Sequence, residues 1–261
     1  MKVDLQDQVA LITGAARGIG FETSRVLAEN GAIVVMTDVD EAEVKAAAAK
    51  IPRAHGLRMD VTKEKEVTGG IDWIVGTLGK LDILINNAGT NTAKHRVTIE
   101  EFPIEEWDRI VDVDMRGLFL VSRQGAAQMV KQGGGRIVNI ASVLGVIPAR
   151  LQCAFTAAKG AVVTLTRTMA IELAEKGILV NCIAPGSTLT PATEKLFYTA
   201  EGVQAERRDQ LLAHIPMGRP GKAEEIAHSI LFMCAPESSY ITGQVLCVDG
   251  GWTAGGFLRD F

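Results

Sequence analysis

The sequence predicts an α/β protein of the doubly wound, Rossmann type: a three-layer sandwich on a seven-stranded parallel sheet. Short β-branched or aliphatic segments alternate with longer helical patterns along all 261 residues, which is typical of helices covering both faces of a parallel sheet. A glycine-rich segment also directly follows the first strand and opens a helix, as in doubly wound folds that bind nucleotides. With 47% apolar and 22% charged residues, the chain can bury a large core, and we expect one domain over residues 1–261.

Seven segments have the length and aliphatic content of buried strands. Helical patterns occupy the intervals between them. The predicted strands are Val9–Thr13, Ala32–Thr37, Gly56–Met59, Ile83–Ile85, Arg136–Ile140, Leu179–Ala184 and Gln244–Val248.

Two predicted helices are long, Glu105–Lys131 and Cys153–Glu175, and both carry apolar residues at helical spacing. This spacing indicates packing against the sheet. A shorter, alanine-rich helix is expected over Ala42–Lys50. Residues 187–220 break the alternation with loops and an expected helix near Glu201–Ala213. Because long excursions in compact domains usually serve binding, we expect this segment to be a substrate lid.

The charge of the chain argues against large anionic partners. The formal net charge is −4, which gives no electrostatic reason to expect nucleic acid or an anionic membrane surface. The first seven residues lack the apolar core of a signal peptide, and no apolar segment approaches the ~20 residues that a bilayer-spanning helix needs. We therefore expect a cytoplasmic protein that acts on a small molecule. The four cysteines are far apart in sequence and predict neither disulfides nor a metal site.

The glycine-rich segment is Thr13-Gly14-Ala15-Ala16-Arg17-Gly18-Ile19-Gly20. Its glycines permit a tight turn and a close approach of the backbone, so that free amides at the helix start can face a pyrophosphate. The preceding strand and the following helix supply the context that this motif requires.

Asp38 stands at the end of the second predicted strand. A carboxylate there can accept hydrogen bonds from the hydroxyls of an adenosine ribose, and it repels a ribose 2′-phosphate. The sequence therefore favours NAD over NADP, although Arg17 in the glycine loop would partly offset the repulsion.

Three further motifs follow later strands: Asp60-Val61, Asn86-Asn87-Ala88-Gly89 and Pro185-Gly186-Ser187-Thr188. Together with the glycine loop and a C-terminal Val248-Asp249-Gly250-Gly251, they resemble the short-chain dehydrogenase/reductase family over essentially the whole chain. The resemblance implies a homo-oligomer, a tetramer or a dimer, paired through the two long helices. It also implies a cofactor site built from Gly14, Arg17, Gly18, Ile19, Gly20, Asp38, Asp60, Val61, Asn87, Ala88, Gly89, Val113, Lys159, Pro185, Gly186 and Thr188.

In that family an Asn, a Ser, a Tyr and a Lys cooperate, with the Tyr and the Lys one helical turn apart. Ser142 and Lys159 match two of these positions, but Asp114 stands where the Asn is usual and Phe155 where the Tyr is usual. In the family the tyrosine passes the proton and the lysine lowers the pKa of its phenol. Phe155 has no proton to pass, so proton transfer needs a substitute.

Three residues are candidates for that substitute. Asp114, in the usual relay position, could pair with Lys159 or move a proton through water. His95 follows the Asn-Asn-Ala-Gly motif, although a single loop histidine is more often a solvated surface residue. Tyr198 lies in the predicted lid, and Tyr240, before the last strand, is interpreted as structural.

Three explanations of Phe155 remain open: an engineered change that traps a ligand, a natural oxidoreductase with a rerouted proton path, and a silent NAD-binding sensor or scaffold. Our sequence-based hypothesis is the second one, an NAD-dependent enzyme that interconverts a secondary alcohol and a carbonyl on a small sugar, polyol or oxoacid. Reduction of an acyl chain with NADPH is a further alternative.

Overall fold

The computed structural model of the chain describes residues 1–92, 95–190, 193 and 212–255. Its nine strands within these residues confirm the predicted α/β class. They are β1 Val9–Thr13, β2 Ile33–Asp38, β3 Ala54–Arg58, β4 Ile83–Asn86, β5 Gly135–Ile140, β6 Ile178–Pro185, β7 Thr188–Leu189, β8 Gly221–Lys222 and β9 Val245–Val248.

Seven of these strands form one parallel sheet in the order β3-β2-β1-β4-β5-β6-β9. The chain moves outward from β1 to β3 and then returns to β4 on the other side of β1, where Ala10 aligns with Ile83. This reversal is the topological switch point, and ligands of doubly wound sheets bind in the crevice beyond the carboxyl ends of the strands there.

Helices cover both faces of the sheet. The helices of the described residues are α1 Gly18–Glu29, α2 Glu41–Ala48, α3 Glu64–Leu78, α4 Ile104–Val111, α5 Leu118–Gln132, α6 Cys153–Leu173, α7 Ala223–Cys234 and α8 Trp252–Gly255.

The core is divided between the two faces of the sheet. Along β1, Ala10 and Ile12 join one apolar cluster, while Val9 and Leu11 join the other. This alternation follows from strand geometry, because successive side chains point to opposite faces. Each strand therefore buries both of its faces, which explains its nearly continuous aliphatic sequence.

The long helix predicted over Glu105–Lys131 is not regular throughout, and the prediction was wrong in this respect. A π-helical segment, Asp112–Gly117, separates α4 from α5. A π-helical turn contains an extra residue, so it changes the direction in which the following side chains point. Asp114 lies in this segment and is buried.

The boundaries of other strands and helices differ by a few residues from the predicted ones. β3 begins at Ala54 and ends at Arg58, whereas we expected Gly56–Met59. α6 ends at Leu173 and continues as a short 3₁₀ turn to Lys176. The predicted lid, residues 187–220, contains β7. This strand pairs in parallel with β8, which directly follows the lid. Most of the expected lid helix lies outside the described residues.

No helix of the described residues is long and apolar enough to span a membrane. Large apolar side chains are exposed on the two helices expected to pair between subunits: Trp107, Met115, Phe119, Val130 and Ile171. The homo-oligomer and the single-domain assignment stay predictions.

Candidate active site

Two adjoining cavities, of about 440 and 580 Å³, lie beyond the carboxyl ends of the central strands. They share several lining residues, including Arg17, Asn87 and Gly89. The smaller one extends over the ends of β2 and β3, and we call it the nucleotide cavity. The larger one extends over the ends of β5 and β6, and we call it the reaction cavity.

The glycine loop packs tightly against the loop after β4. Gly14 adopts a left-handed backbone conformation with φ +61°, and a Cβ there would lie 2.7 Å from the Cα of Ala88. At Gly20, a Cβ would lie 2.4 Å from the carbonyl oxygen of Gly14. Only glycine allows this approach. The start of α1, at Gly18 and Ile19, lines the nucleotide cavity.

Asn87 and Thr13 hold these two loops together. The side-chain amide of Asn87 donates to the carbonyl oxygens of Thr13 and Gly14, at 2.9 and 2.8 Å. The Thr13 hydroxyl in turn accepts from the backbone amides of Asn87 and Ala88, at 3.0 and 2.9 Å. The Asn-Asn-Ala-Gly motif therefore fixes the shape of the glycine loop.

The acidic end of β2 lies in the nucleotide cavity. Asp38 Oδ2 accepts from the amide of Ala16 at 3.3 Å. Arg17, with a side chain 65% exposed, forms an ion pair with Glu43 of α2 at 3.2 Å. This part of the cavity thus contains a carboxylate for ribose hydroxyls, while the nearby arginine is paired with an acid.

A chain of buried polar side chains joins the strands and helices around the cavities. Asn86 Nδ2 donates to the hydroxyl of Ser122 at 2.9 Å and to Asn139 Oδ1 at 2.8 Å. Asn139 Nδ2 then donates to the hydroxyl of Thr166 at 2.9 Å. These bonds join β4, β5, α5 and α6, so the elements that carry the reaction cavity are fixed relative to one another.

Asp114 and Lys159 form a buried ion pair at the reaction cavity. Lys159 Nζ lies 3.1 Å from Asp114 Oδ2, and the two side chains are 6% and 0% exposed. Asp114 Oδ1 accepts from the amide of Thr90 at 2.6 Å, whereas Oδ2 has no aligned hydrogen bond among the described residues. Lys159 Nζ also donates to the carbonyl oxygen of Ile140 at 3.1 Å. Both groups face Gly89, where a Cβ would lie 3.3 Å from Nζ and 3.4 Å from Oδ2.

Burial raises the pKa of the Asp114 carboxyl above its ordinary value, and the positive charge of Lys159 and the amide of Thr90 oppose this rise. The exclusion of water penalises the charged form, and this effect is the larger one. A carboxyl group whose pKa moves towards neutrality is suited to accept and return a proton.

Arg109 of α4 holds the loop that reaches Asp114. Its guanidinium donates to the hydroxyl of Thr90 and, at 3.0 Å, to the carbonyl oxygen of Asn91. It is itself held by Glu106 of the same helix, at 2.8 Å. Because Thr90 donates to Asp114, this clamp also positions the carboxylate.

Ser142 follows β5 and is half-buried in the reaction cavity. Its Oγ accepts from the amide of Leu144 at 3.2 Å. The hydroxyl proton therefore stays available to a ligand, since an oxygen that accepts one hydrogen bond can still donate.

Phe155 lies one turn before Lys159 on α6. Its ring packs against a small apolar cluster that contains Phe102, Ile110 and Ala158. The ring centre is 5.7 Å from Lys159 Nζ, a distance at which the π face attracts a cation. Phe155 lines the reaction cavity but provides neither a donor nor an acceptor.

The structure brings almost all of the sequence-predicted site residues to these cavities. Gly20 alone of the set lines neither; it is buried beneath the glycine loop. Of the other proton-donor candidates, His95 is exposed and lines neither cavity, and Tyr198 lies outside the described residues. Tyr240 is fully exposed at 101%, so it does not belong to the core.

Sequence reasoning missed several lining residues: Thr90, Arg96, Arg109, Gln152, Thr190 and Trp252. Thr90 directly follows the Asn-Asn-Ala-Gly motif, and this position in the sequence could have identified it as a site residue. Arg109 and Gln152 lie at a helix face and a helix start that no sequence motif marks.

The fold and the site define a class of protein. A family model described as enoyl-(acyl carrier protein) reductase matches residues 14–253, and the chain belongs to the short-chain dehydrogenase/reductase family of oxidoreductases. A solved structure, the crystal structure of gox2181, superimposes with a TM-score of 0.90 at 31% identity, covering 96% of this chain and 97% of that one.

Particular relatives are similar along nearly their whole length. The chain is 38% identical to a 3-oxoacyl-[acyl-carrier-protein] reductase of Thermotoga maritima, over 95% of this chain and 98% of the relative. It is 37% identical to a cis-4-hydroxycyclohexanecarboxylate dehydrogenase of Sinomonas cyclohexanicum, over 95% and 97%. It is also 37% identical to a cyclopentanol dehydrogenase of Comamonas sp., over 96% and 98%.

The close packing at Gly20 predicts a destabilising substitution. Gly20→Ala would force a Cβ against Gly14 and Asn87, and we expect a loss of about 1–3 kcal/mol in the free energy of unfolding, because overpacking displaces the backbone. Gly76→Ala is the matched control: it lies inside α3 with nothing within 4 Å of its Cβ and should gain about 0.5–1 kcal/mol. Denaturant titration of both variants measures the difference, and equal stability of the two would contradict the packing described here.

Proposed function

We propose that the chain is an NAD-dependent oxidoreductase that interconverts a secondary alcohol and a carbonyl on a small polar substrate. In this proposal Asp114, paired with Lys159, moves the proton that a tyrosine at position 155 would otherwise move. The observation that carries the proposal is the buried ion pair, 3.1 Å long, on the wall of the reaction cavity beside Ser142.

The nucleotide cavity suits NAD, which when bound supplies the hydride chemistry. The glycine loop presents amides to a pyrophosphate, and Asp38 can accept from both ribose hydroxyls. A ribose 2′-phosphate would lie beside Asp38, while the arginine that could neutralise it, Arg17, is paired with Glu43. These charges favour NAD over NADP.

Ser142 binds the reacting oxygen of the substrate. Its hydroxyl can donate a hydrogen bond to a carbonyl oxygen, which stabilises the negative charge that develops there as the carbonyl is reduced. The bond from the Leu144 amide, 3.2 Å long, fixes the orientation of Oγ.

Lys159 has one N–H donor that can bind the cofactor. An ammonium group has three N–H donors; one goes to Ile140 and one faces Asp114. The third can bind a hydroxyl of the nicotinamide ribose. Lys159 thus joins the nucleotide to the proton-carrying carboxylate.

Asp114 serves as the general base in oxidation and, once protonated, as the acid in reduction. Within the described residues, Oδ2 has no aligned hydrogen bond, so it can accept a proton that arrives through a water molecule. The raised pKa brings the carboxyl closer to the working pH than an exposed aspartate would be.

The relatives support the proposed reaction but span two substrate types. Two of them are named as dehydrogenases of cyclic secondary alcohols, and another as a reductase of a 3-oxoacyl carrier protein. The acidic surroundings of the ribose site argue against NADPH and therefore favour the small alcohols. Cyclopentanol and cyclohexanol derivatives are accordingly the first substrates to test.

Replacing Asp114 tests the proton path. We expect Asp114→Asn to lower the rate of alcohol oxidation by about 10²- to 10⁴-fold, the usual effect of losing a positioned base. The wild-type rate should rise with pH as Asp114 ionises through its raised pKa, and the variant should lack this rise. NADH absorbance followed across pH measures both.

Asp112→Asn is the control, because Asp112 is an exposed carboxylate of the same π-helical segment. Its rate and pH profile should match the wild type. An Asp114→Asn variant with wild-type turnover and an unchanged pH profile would remove Asp114 from the mechanism.

Thermal shifts with the two nucleotides test the cofactor. NAD at about 100 times its Kd should stabilise the protein by about 2.7 kcal/mol, and NADP at the same concentration by much less. Asp38→Ala should bring the two shifts closer together, because it removes the charge that repels a 2′-phosphate. Asp72→Ala, which removes an exposed aspartate of α3 outside both cavities, should leave the difference unchanged. A larger shift with NADP than with NAD in the wild type would contradict the assignment.

A further inference from the structure

Gln152, the residue before α6, buries a polar side chain in the reaction cavity. It is only 8% exposed, and it lines the cavity together with Ser142, Phe155 and Trp252. Glutamine is usually exposed, and a buried glutamine normally has its amide hydrogen-bonded. The proton path proposed above does not use this side chain.

Within the described residues, the acceptor oxygen of this amide, Oε1, has no hydrogen-bond partner. Gln152 occupies the N-cap position of α6, yet its side chain makes no capping hydrogen bond. The preceding residue, Leu151, has φ +62°, a left-handed conformation that is rare for a leucine. Such a conformation persists only where the surrounding structure holds it, which indicates a fixed turn that delivers Gln152 to the cavity.

Gln152 directly precedes α6, and Phe155 and Lys159 follow it at intervals of three and four residues, the spacing of neighbours along one side of a helix. The Lys159 and Gln152 positions are about 10 Å apart along the helix axis at the usual rise per residue. The ring of Phe155 lies between them and offers no hydrogen bond. The amide is therefore a polar site separate from the reacting centre at Ser142 and Asp114.

We propose that Gln152 binds a second hydroxyl group of the substrate and so selects diols and other polyols over simple alcohols. A side-chain amide presents an acceptor and two donors, and a hydroxyl group can both donate to Oε1 and accept from Nε2. A carboxylate can only accept, and it would leave Oε1 unpaired. A hydroxyl also satisfies either orientation of the amide. This inference rests on the proposed function, whose substrate class it narrows.

Cyclohexanol and the cyclohexane-1,2-, 1,3- and 1,4-diols provide the test, with oxidation measured for the wild type and Gln152→Met. Methionine is similar in length and apolar, so it removes the hydrogen bonds with little change in packing. At least one diol should have a higher kcat/KM than cyclohexanol in the wild type. Gln152→Met should lower that value by about 10-fold or more while changing cyclohexanol by less than about 3-fold, because a site built for a hydroxyl discriminates through it.

Gln128→Met is the matched control. Gln128 is a half-buried glutamine of α5 that bonds to Gln132 at 3.2 Å and lines neither cavity. The Gln128→Met variant should therefore have the same kcat/KM values as the wild type on all of these alcohols. The melting temperature of Gln152→Met without ligand should not fall, since the Oε1 that the substitution removes has no partner in the part of the chain that the structure describes.

An equal loss on cyclohexanol and on every diol, or a lower melting temperature, would show a structural role and overturn the inference while the proposed function stands. Unchanged kcat/KM values would overturn it too. If the wild type oxidises none of these alcohols, the proposed function fails by itself. Calorimetric titration of the diols and cyclohexanol into the protein with NAD then decides the inference: a wild-type preference for a diol that Gln152→Met abolishes supports it, and the absence of a preference overturns it.

Discussion

The ion pair of Asp114 and Lys159 is the constraint on which the rest of the site depends. Both charges are removed from water, and each would cost several kcal/mol if it were buried alone. The pair is held from three directions: by the amide of Thr90 on the carboxylate, by the carbonyl of Ile140 on the ammonium, and by the π-helical segment that turns Asp114 inward. The loop after β4, the end of β5 and the middle of α6 must therefore keep their relative positions.

The pair also connects the two positions, 114 and 155, at which the sequence predicts a departure from the family pattern. A phenol at position 155 would have a lysine one helical turn away to lower its pKa, whereas Phe155 only places a ring 5.7 Å from that ammonium. The carboxylate of Asp114 then becomes the polar group that faces Lys159, and burial raises its pKa. Phe155 and Asp114 are thus compatible with each other: the apolar ring fills space beside Lys159, and the carboxylate supplies the negative charge that faces its ammonium group.

Much of this architecture was predictable from the sequence, because it depends on local patterns. The strands are aliphatic since both faces of the sheet are covered, and the glycine loop is recognisable since close backbone contacts exclude side chains at Gly14 and Gly20. The positions of Ser142 and Lys159 follow from their spacing relative to a strand end and a helix. The acidic Asp38 follows from the end of β2.

The features of the site that the sequence did not predict depend on contacts between residues far apart in sequence. Nothing local marks the π-helical segment inside a long amphipathic pattern, although it decides where Asp114 points. The pairing of Arg17 with Glu43 joins a loop to a neighbouring helix, and the clamp of Arg109 on Thr90 joins a helix to a loop. Gln152 is unremarkable in sequence, and its significance appears only when its burial is known.

The most direct test of the account is the turnover of a panel of secondary alcohols by the wild type and by Phe155→Tyr, with NAD in both. If Asp114 and Lys159 carry the proton, the wild type oxidises at least one alcohol, and the tyrosine changes that rate by less than about 10-fold, because the path already exists. If the wild type produces no NADH while Phe155→Tyr gains about 100-fold or more over the background, no rerouted path exists, and the chain binds NAD without turning it over.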